Sequence, residues 1–276
     1  MTEGAAERAT ATLTILAAWA IAVLFLILPL MQVFQQAFAH GLGGVVDALS
    51  DPDAQSAIEL TILTAAISVP INLIGGLAAA WSLTKFDFPG KAFLISLIEL
   101  PFAISPVVSG LVWVLLFGSQ GWFASELAAA HIQIIFALPG IVMATIFVTF
   151  PFVARTILPL MQEQGREQEE AATMLGAGFW STLWHVVLPD IKWALLAGVL
   201  LCNARAMGEF GAVSVVSGHV SGQTETIPLQ IESLYNDYQS ASAFVLSALL
   251  ACLGLVTLVA KAGLEWHVNR SRRIPA

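Results

Sequence analysis

The sequence predicts an all-α membrane protein with six transmembrane helices, on three observations. Hydrophobic residues make up 58% of the chain and charged residues 11%, against about half and about a quarter in an ordinary soluble domain. Six apolar stretches each reach the length that carries a helix across a bilayer, about 20 residues, and none alternates with the period of two of a transmembrane strand. The basic residues fall on alternate sides of these stretches.

The stretches run over 12–37, 58–82, 92–117, 132–154, 193–216 and 243–265, within one transmembrane domain over 1–276. The first is longer than the 7–15-residue apolar core of a cleaved leader, and "MTEGAAERAT" is not a basic leader, so it is read as a retained helix. The third holds "IELPFAISPVVSG", with Pro101, Ser105, Pro106 and Ser109. Each proline removes a backbone donor and kinks a helix. Freed carbonyls beside hydroxyls suit a pore lining or gate, or equally a structural kink that neighbours satisfy. Glu99, the second residue of this run, receives no partner from the sequence.

Of the 11 Lys and Arg residues, ten lie at or beyond span ends that share one side: Arg8, Lys85, Lys91, Arg155, Arg166, Lys192, Lys261, Arg270, Arg272 and Arg273. The loops 38–57, 118–131 and 217–242 carry none. The positive-inside rule therefore puts both termini in the cytoplasm. The outer loops carry Asp47, Asp51, Asp53, Glu126, Glu225, Glu232 and Asp237. Such a face does not concentrate a free anion, so an anionic substrate would need a carrier.

The remaining cation is Arg205, inside the fifth span in "LLCNARAMGEFGAVSVV". Ionisable groups are expensive in hydrocarbon. Glu209 stands four residues on, a spacing that puts both on one helix face and lets them neutralise each other. A structural or gating pair at a subunit interface and a direct anion contact are both open, and the first is favoured because a paired carboxylate cancels the field an anion would feel. Gly208 and Ala212 form a small-xxx-small pair with Gly211 beside it, a pattern that lets helices approach closely. Cys202 and Cys252 lie in apolar segments and form no disulfide or metal pattern.

The connection 155–192 is too long for a simple turn. Between Pro159 and Pro189 it holds an amphipathic stretch with charges at Arg166, Glu167, Glu169 and Glu170, then Ala171, Ala172, Met174 and Leu175, with Gly176 and Gly178 ending it. Two readings stand on composition: a helix that docks in a partner's groove, or one that lies on the lipid interface.

Several classes lack their residues. There is no Gly-x-x-x-x-Gly-Lys-Ser/Thr loop, no Gly-x-Ser-x-Gly and no His-Glu-x-x-His, so neither an ATPase nor a hydrolase site is visible. No metal site, cofactor site or nucleic-acid-binding pattern is expected in this chain.

The run "EAATMLGAGFWSTLWHVVLP" resembles the EAA motif of permease subunits of bacterial ABC importers: Glu170, Ala171, Ala172, then Gly176, then Val186, Leu188 and Pro189, with Val186 where the family more often has Ile. "NARAMGEFGAVSVVSGHVSGQTETIPLQIE" and "LPFAISPVVSGLVW" are similar to the sulfate, thiosulfate and molybdate branch, and the wording of the first to its W-type subunits. The resemblance implies a type I importer permease fold, a coupling helix at Glu170–Gly176 that docks on a separate ATPase, and a pathway lined near 101–106. It implies two ATPase subunits that use ATP and Mg, a second related permease in a heterodimer, an extracytoplasmic anion-binding protein, and location in the bacterial inner membrane. Sulfate or thiosulfate is the implied substrate. Molybdate or tungstate is the alternative, and a secondary anion transporter or a membrane scaffold are the other classes.

Overall fold

The computed structural model describes residues 2–272, with side chains described for residues 10–266. Arg273 lies outside the described residues, as do the side chains of Arg8, Arg270 and Arg272. Among the described residues there is no strand, and five helices are long and apolar enough to cross a membrane, or six if one bent pair counts as a span. The helices are α1 (Thr10–Ala37, the apolar part of a helix starting at Thr2), α2 (Gly41–Ser50), α3 (Pro52–Lys85), α4 (Lys91–Ala103), α5 (Pro106–Phe117), α6 (Ala124–Ala130), α7 (Leu138–Gln164), α8 (Glu167–Met174), α9 (Phe179–Met207), α10 (Gly211–Ser217), α11 (Ile227–Asn236) and α12 (Ser240–Arg272).

The contacts divide the chain into two compact units, residues 1–51 with 231–249, and residues 52–230 with 250–276. In the first unit, Ala37, Ala48, Val245 and Ala248 form a small core with Val33, Phe34 and Phe244 around it.

The second unit is built on α3, α7 and α9. At 34 residues, α3 is about 51 Å long at 1.5 Å per residue, well beyond a hydrocarbon core of about 30 Å. Ala65, Val69, Ala80, Val153, Ile157, Met161, Ile191, Cys202 and Ala206 bury the seam between these three helices. Glycine brings them close: a Cβ on Gly76 would stand 2.8 Å from Val153 Cβ and 3.0 Å from the Ala154 backbone nitrogen. At the centre, Asn72 Nδ2 donates to Thr149 Oγ1 at 2.7 Å and reaches Cys202 Sγ at 3.6 Å, tying one residue of each helix together. Polar bonds of this kind hold helices together where lipid supplies no hydrophobic contrast.

The predicted span 92–117 is not one helix. It breaks into α4 and α5, bent by 107°. The breaker is Pro106, acting on its neighbour: a residue before proline is pushed out of the helical region, and Ser105 has ψ 133° after Ile104 at ψ 138°. Pro106 then opens α5, where its missing N–H is no loss. Pro101 is accommodated inside α4.

Two other boundaries move. The predicted span 132–154 becomes Leu138–Gln164, because Ala137 is extended and Pro139 sits in the first turn, while the helix continues through Pro151 and Pro159. The predicted span 193–216 starts at Phe179 and ends at Met207, with α10 following a break at Gly208–Phe210. The loop 155–192 therefore shrinks to 165–178. Pro189 lies within helical structure, where a π-turn at Leu183–Val187 lets the Leu188 N–H bond to the Leu183 carbonyl five residues back. A wider turn there relieves the missing donor and ring clash of proline. Val23–Ile27 makes the same turn before Leu28 and Pro29.

The second core of this unit packs Ile141, Ala144 and Val148 of α7 against Ala212, Val213 and Val216 of α10. Here α5 meets α10 through Gly110, whose added Cβ would stand 2.7 Å from the Ala212 carbonyl oxygen and 2.8 Å from Val215 Cβ. Gly110→Ala is expected to destabilise the protein by about 1–3 kcal/mol through overpacking. Gly254→Ala in α12, with nothing within 4 Å, should be neutral or stabilising by up to about 1 kcal/mol. Thermal unfolding in detergent compares the two, and equal shifts would count against this close approach.

Candidate functional site: a capped, anchored turn and two facing helix breaks

The turn 165–178 is built from its glycines outward. Gly165 has φ 68° and ψ −149°, a conformation open essentially to glycine alone. Three carboxylates, Glu167, Glu169 and Glu170, fill the first turn of α8, where the helix dipole favours negative charge. At its other end the Ala177 N–H bonds to the Ala172 carbonyl and the Gly176 N–H to the Thr173 carbonyl, with Gly176 at φ 87°. These two bonds are a Schellman cap, and they explain why glycine stands at 176: the space around it is open, but the backbone is left-handed.

The turn is anchored to the end of α3. Lys85 Nζ donates to the Gly165 carbonyl at 2.6 Å and pairs with Glu169 Oε1 at 2.7 Å, with the Lys85 side chain only 7% exposed. Arg166 reaches the Thr84 carbonyl at 3.4 Å and Asp87 at 3.5 Å. Asp87 also takes a bond from Lys91 at 3.2 Å. That bond first, then the charges of Lys91 and Arg166, hold its carboxyl below the ordinary carboxylate value. Its contribution is therefore present above the ordinary carboxylate range and lost as pH falls through the depressed value. Met174 and Leu175 are left 90% and 89% exposed, and Phe179, Trp180 and Trp184 are exposed beside them. The anchored turn therefore presents a bare apolar patch.

The second feature is a pair of facing breaks. A Cβ on Gly211 would stand 3.0 Å from Pro106 Cβ, so α5 and α10 begin side by side. Ser109 donates to the Ser105 carbonyl at 3.3 Å, holding the first break. At the second, Arg205 ends α9 and donates to the Gly208 carbonyl at 3.4 Å, and Glu209 Oε1 accepts the Ala212 N–H at 3.0 Å. Arg205 Nη2 and Glu209 Oε2 stand 2.8 Å apart, with the Glu209 side chain 1% exposed and that of Arg205 35%. The approach is short but poorly aligned, so Oε2 gains charge neutralisation without a directed hydrogen bond.

Residues 71–272 match the family model for the binding-protein-dependent transport system inner membrane component. The chain belongs to that family. Both features above lie inside the matched region. The permease is 51% identical over 252 residues to the sulfate transport system permease protein CysW of Synechocystis sp., covering 91% of each chain. It is 47% identical to Escherichia coli K12 CysW, covering 92% of this chain and 87% of that one. To CysT of the same E. coli strain it is 35% identical, covering 85% of each. A crystal structure of a bacterial alginate ABC transporter in complex with an alginate pentasaccharide-bound periplasmic protein shares the fold at TM-score 0.75 and 17% identity, over 98% of each chain.

The permease fold brings some of the singled-out residues together and separates others. Glu170, Ala171, Ala172 and Gly176 form one capped turn. Leu188 packs on the three-helix core and Pro189 sits beyond the π-turn, away from the turn itself. Pro106 meets Gly211, and Arg205 meets Glu209, but across a break and not along one helix face. Gly208 lies in that break, where within this chain only the Ala204 carbonyl oxygen comes near an added Cβ, at 3.6 Å. Glu99 lines a cavity of about 30 Å³ together with Arg155, whose guanidinium stacks over Phe102 at 5.3 Å. Among the described residues no group of three or more His, Cys, Asp or Glu could hold a metal.

Sequence reading missed Lys85, Gly165 and Gly110. Lys85 counted only as one of the cytoplasmic cations, and its partner lies 80 residues away.

Replacing Arg205 by Met leaves a buried carboxylate unpaired. That is expected to destabilise the permease by about 2–4 kcal/mol, at or below the range for fully buried pairs because the guanidinium is part-exposed. Arg205→Met with Glu209→Gln should recover most of it. Thermal unfolding of the two variants decides, and no recovery in the double variant would reject the pairing.

Proposed function

We propose that this permease is the W-type transmembrane subunit of an ATP-driven importer of sulfate and thiosulfate. It acts as one permease domain over 1–276, multi-pass in the bacterial inner membrane, with both termini cytoplasmic. It works beside a related T-type permease, two ATPase subunits that use ATP and Mg, and an extracytoplasmic anion-binding protein. One observation carries the substrate class: the chain is closer to CysW than to CysT of a single organism, and both relatives are named as sulfate transport permeases. The pair of names also supports a heterodimer of permeases. The periplasmic protein in the related transporter's complex supports delivery by a binding protein.

The geometry supports a division of labour. The turn Glu167–Gly176 has the form of a docking element: short, anchored at its base, and bare at Met174 and Leu175. An ATPase that grips it supplies the energy, since the sequence carries no phosphate-binding loop. The facing breaks at Ser105–Pro106 and Gly208–Gly211, with Pro101 one turn earlier, supply places where helices pivot without unwinding, as a gate requires. Arg205 is spent on Glu209 and on its own backbone, which favours a structural role over direct anion binding.

The test is uptake in proteoliposomes that hold this chain with its co-purified partners, fed labelled sulfate, thiosulfate or molybdate with ATP inside. Sulfate and thiosulfate uptake that needs both ATP and the binding protein is the expected result. Uptake of molybdate alone would replace the substrate class, and uptake without ATP would overturn the importer reading.

Gly176→Ala tests the coupling turn. A non-glycine residue in the left-handed region is disfavoured by about 1–2 kcal/mol, enough to fray an eight-residue helix. With Glu170→Ala added, the ATPase is expected to co-purify at less than about a third of normal stoichiometry. Normal stoichiometry would show that docking lies elsewhere.

A further inference from the structure

Taking Glu167–Gly176 as the docking turn proposed above, how its displacement reaches the membrane helices is a separate matter. Covalently, α8 joins α7 through Gly165, and it joins α9 through Gly176 and Gly178. Glycine joints are the most compliant in a backbone. A push on α8 would bend these joints before it moved α7 or α9.

The non-covalent route is stiffer. Lys85 is the last residue of α3. Its ammonium bonds the Gly165 carbonyl at 2.6 Å and Glu169 at 2.7 Å, so one group clamps both the joint and the first turn of α8. The Lys85 side chain is 7% exposed and that of Glu169 21%, so the pair is less screened than a surface bridge. On the far flank of the turn, Trp81, one turn earlier on α3, meets Phe179 edge-on at 5.7 Å. The last turn of α3 thus holds both flanks of the docking turn. From there α3 continues to Asn72 at the three-helix junction and to Thr61, whose hydroxyl accepts the Ile227 N–H at 2.8 Å. One continuous helix therefore links the docking turn to the opposite end of this unit.

We propose that Lys85 is a positioning residue for energy coupling: its ammonium, shared between Gly165 and Glu169, makes α3 the element through which movement of the docking turn enters the membrane helices. The Gly165 joint then works as a hinge that the lysine locks.

The experiment uses the full complex in proteoliposomes with Lys85→Met, Lys85→Arg, and the exchanged pair Lys85→Glu/Glu169→Lys. Anion imported per ATP hydrolysed is measured beside amide hydrogen exchange over 167–171. Lys85→Met is expected to lower the import ratio at least about fivefold, the lower end of typical coupling factors, and to speed exchange at least about tenfold. Lys85→Arg should stay within about twofold of wild type on both readings. The exchanged pair keeps the ion pair but removes the donor that residue 85 gives the Gly165 carbonyl, so it should regain only part of the lost import ratio yet exceed Lys85→Met, which a merely space-filling role for Lys85 would not produce. An import ratio and exchange rates unchanged in Lys85→Met would overturn the proposal. So would a Lys85→Met complex that fails to assemble and is not restored by the exchanged pair. Absence of sulfate uptake by the wild-type complex would count against the proposed function, while the exchange comparison still reads the clamp.

Discussion

A backbone in hydrocarbon finds no water to bond, so every interruption of a membrane helix has to be satisfied from within the protein. Much of this fold follows from that constraint. At Gly208–Phe210 the Arg205 guanidinium covers a carbonyl that α9 leaves open, and the Glu209 carboxylate covers an N–H that α10 leaves open. The two side chains lie 2.8 Å apart and neutralise each other. At Ser105 a hydroxyl four residues on caps the carbonyl before Pro106. Before Pro29 and Pro189 the helix widens by one residue and keeps its ladder. Charges that look misplaced in an apolar run are the means by which the run can be broken.

Close approach is the second constraint, because lipid gives helices little reason to associate except packing and polar bonds. Gly76 and Gly110 open space for α7 and α10 against backbone or side-chain atoms under 3 Å from where a Cβ would stand. The Asn72–Thr149–Cys202 junction then locks three helices at one level. The result is a close-packed three-helix core beside two facing helix breaks. The turn 165–178 has a different make-up, with Gly165, Gly176 and Gly178 at its joints and Lys85 and Trp81 of α3 in contact with its two flanks.

Some of this was legible in one dimension. The six apolar runs, the one-sided placement of Lys and Arg, and the spacing of Glu170, Ala171, Ala172 and Gly176 are local or additive properties, and each depends only on which residues stand near each other in sequence. They determined an all-α membrane chain and a helix ending at a glycine on one side of it. The i, i+4 spacing of Arg205 and Glu209 also pointed to a pair, although the pair spans a break and not a helix face.

Tertiary structure alone decided where the helices end and what those ends touch. Hydropathy responds to apolar content and not to backbone direction, so 92–117 reads as one span even though Ser105, forced out of the helical region by Pro106, turns it by 107°. Whether a proline breaks a helix depends on what can satisfy the freed groups, which is why Pro106 begins a helix while Pro101, Pro151 and Pro159 sit inside helices. The anchoring of the turn 165–178 rests on a lysine and a carbonyl 80 residues apart. No periodicity encodes that contact, because it exists only once α3 and α7 have packed along their length and brought their ends together.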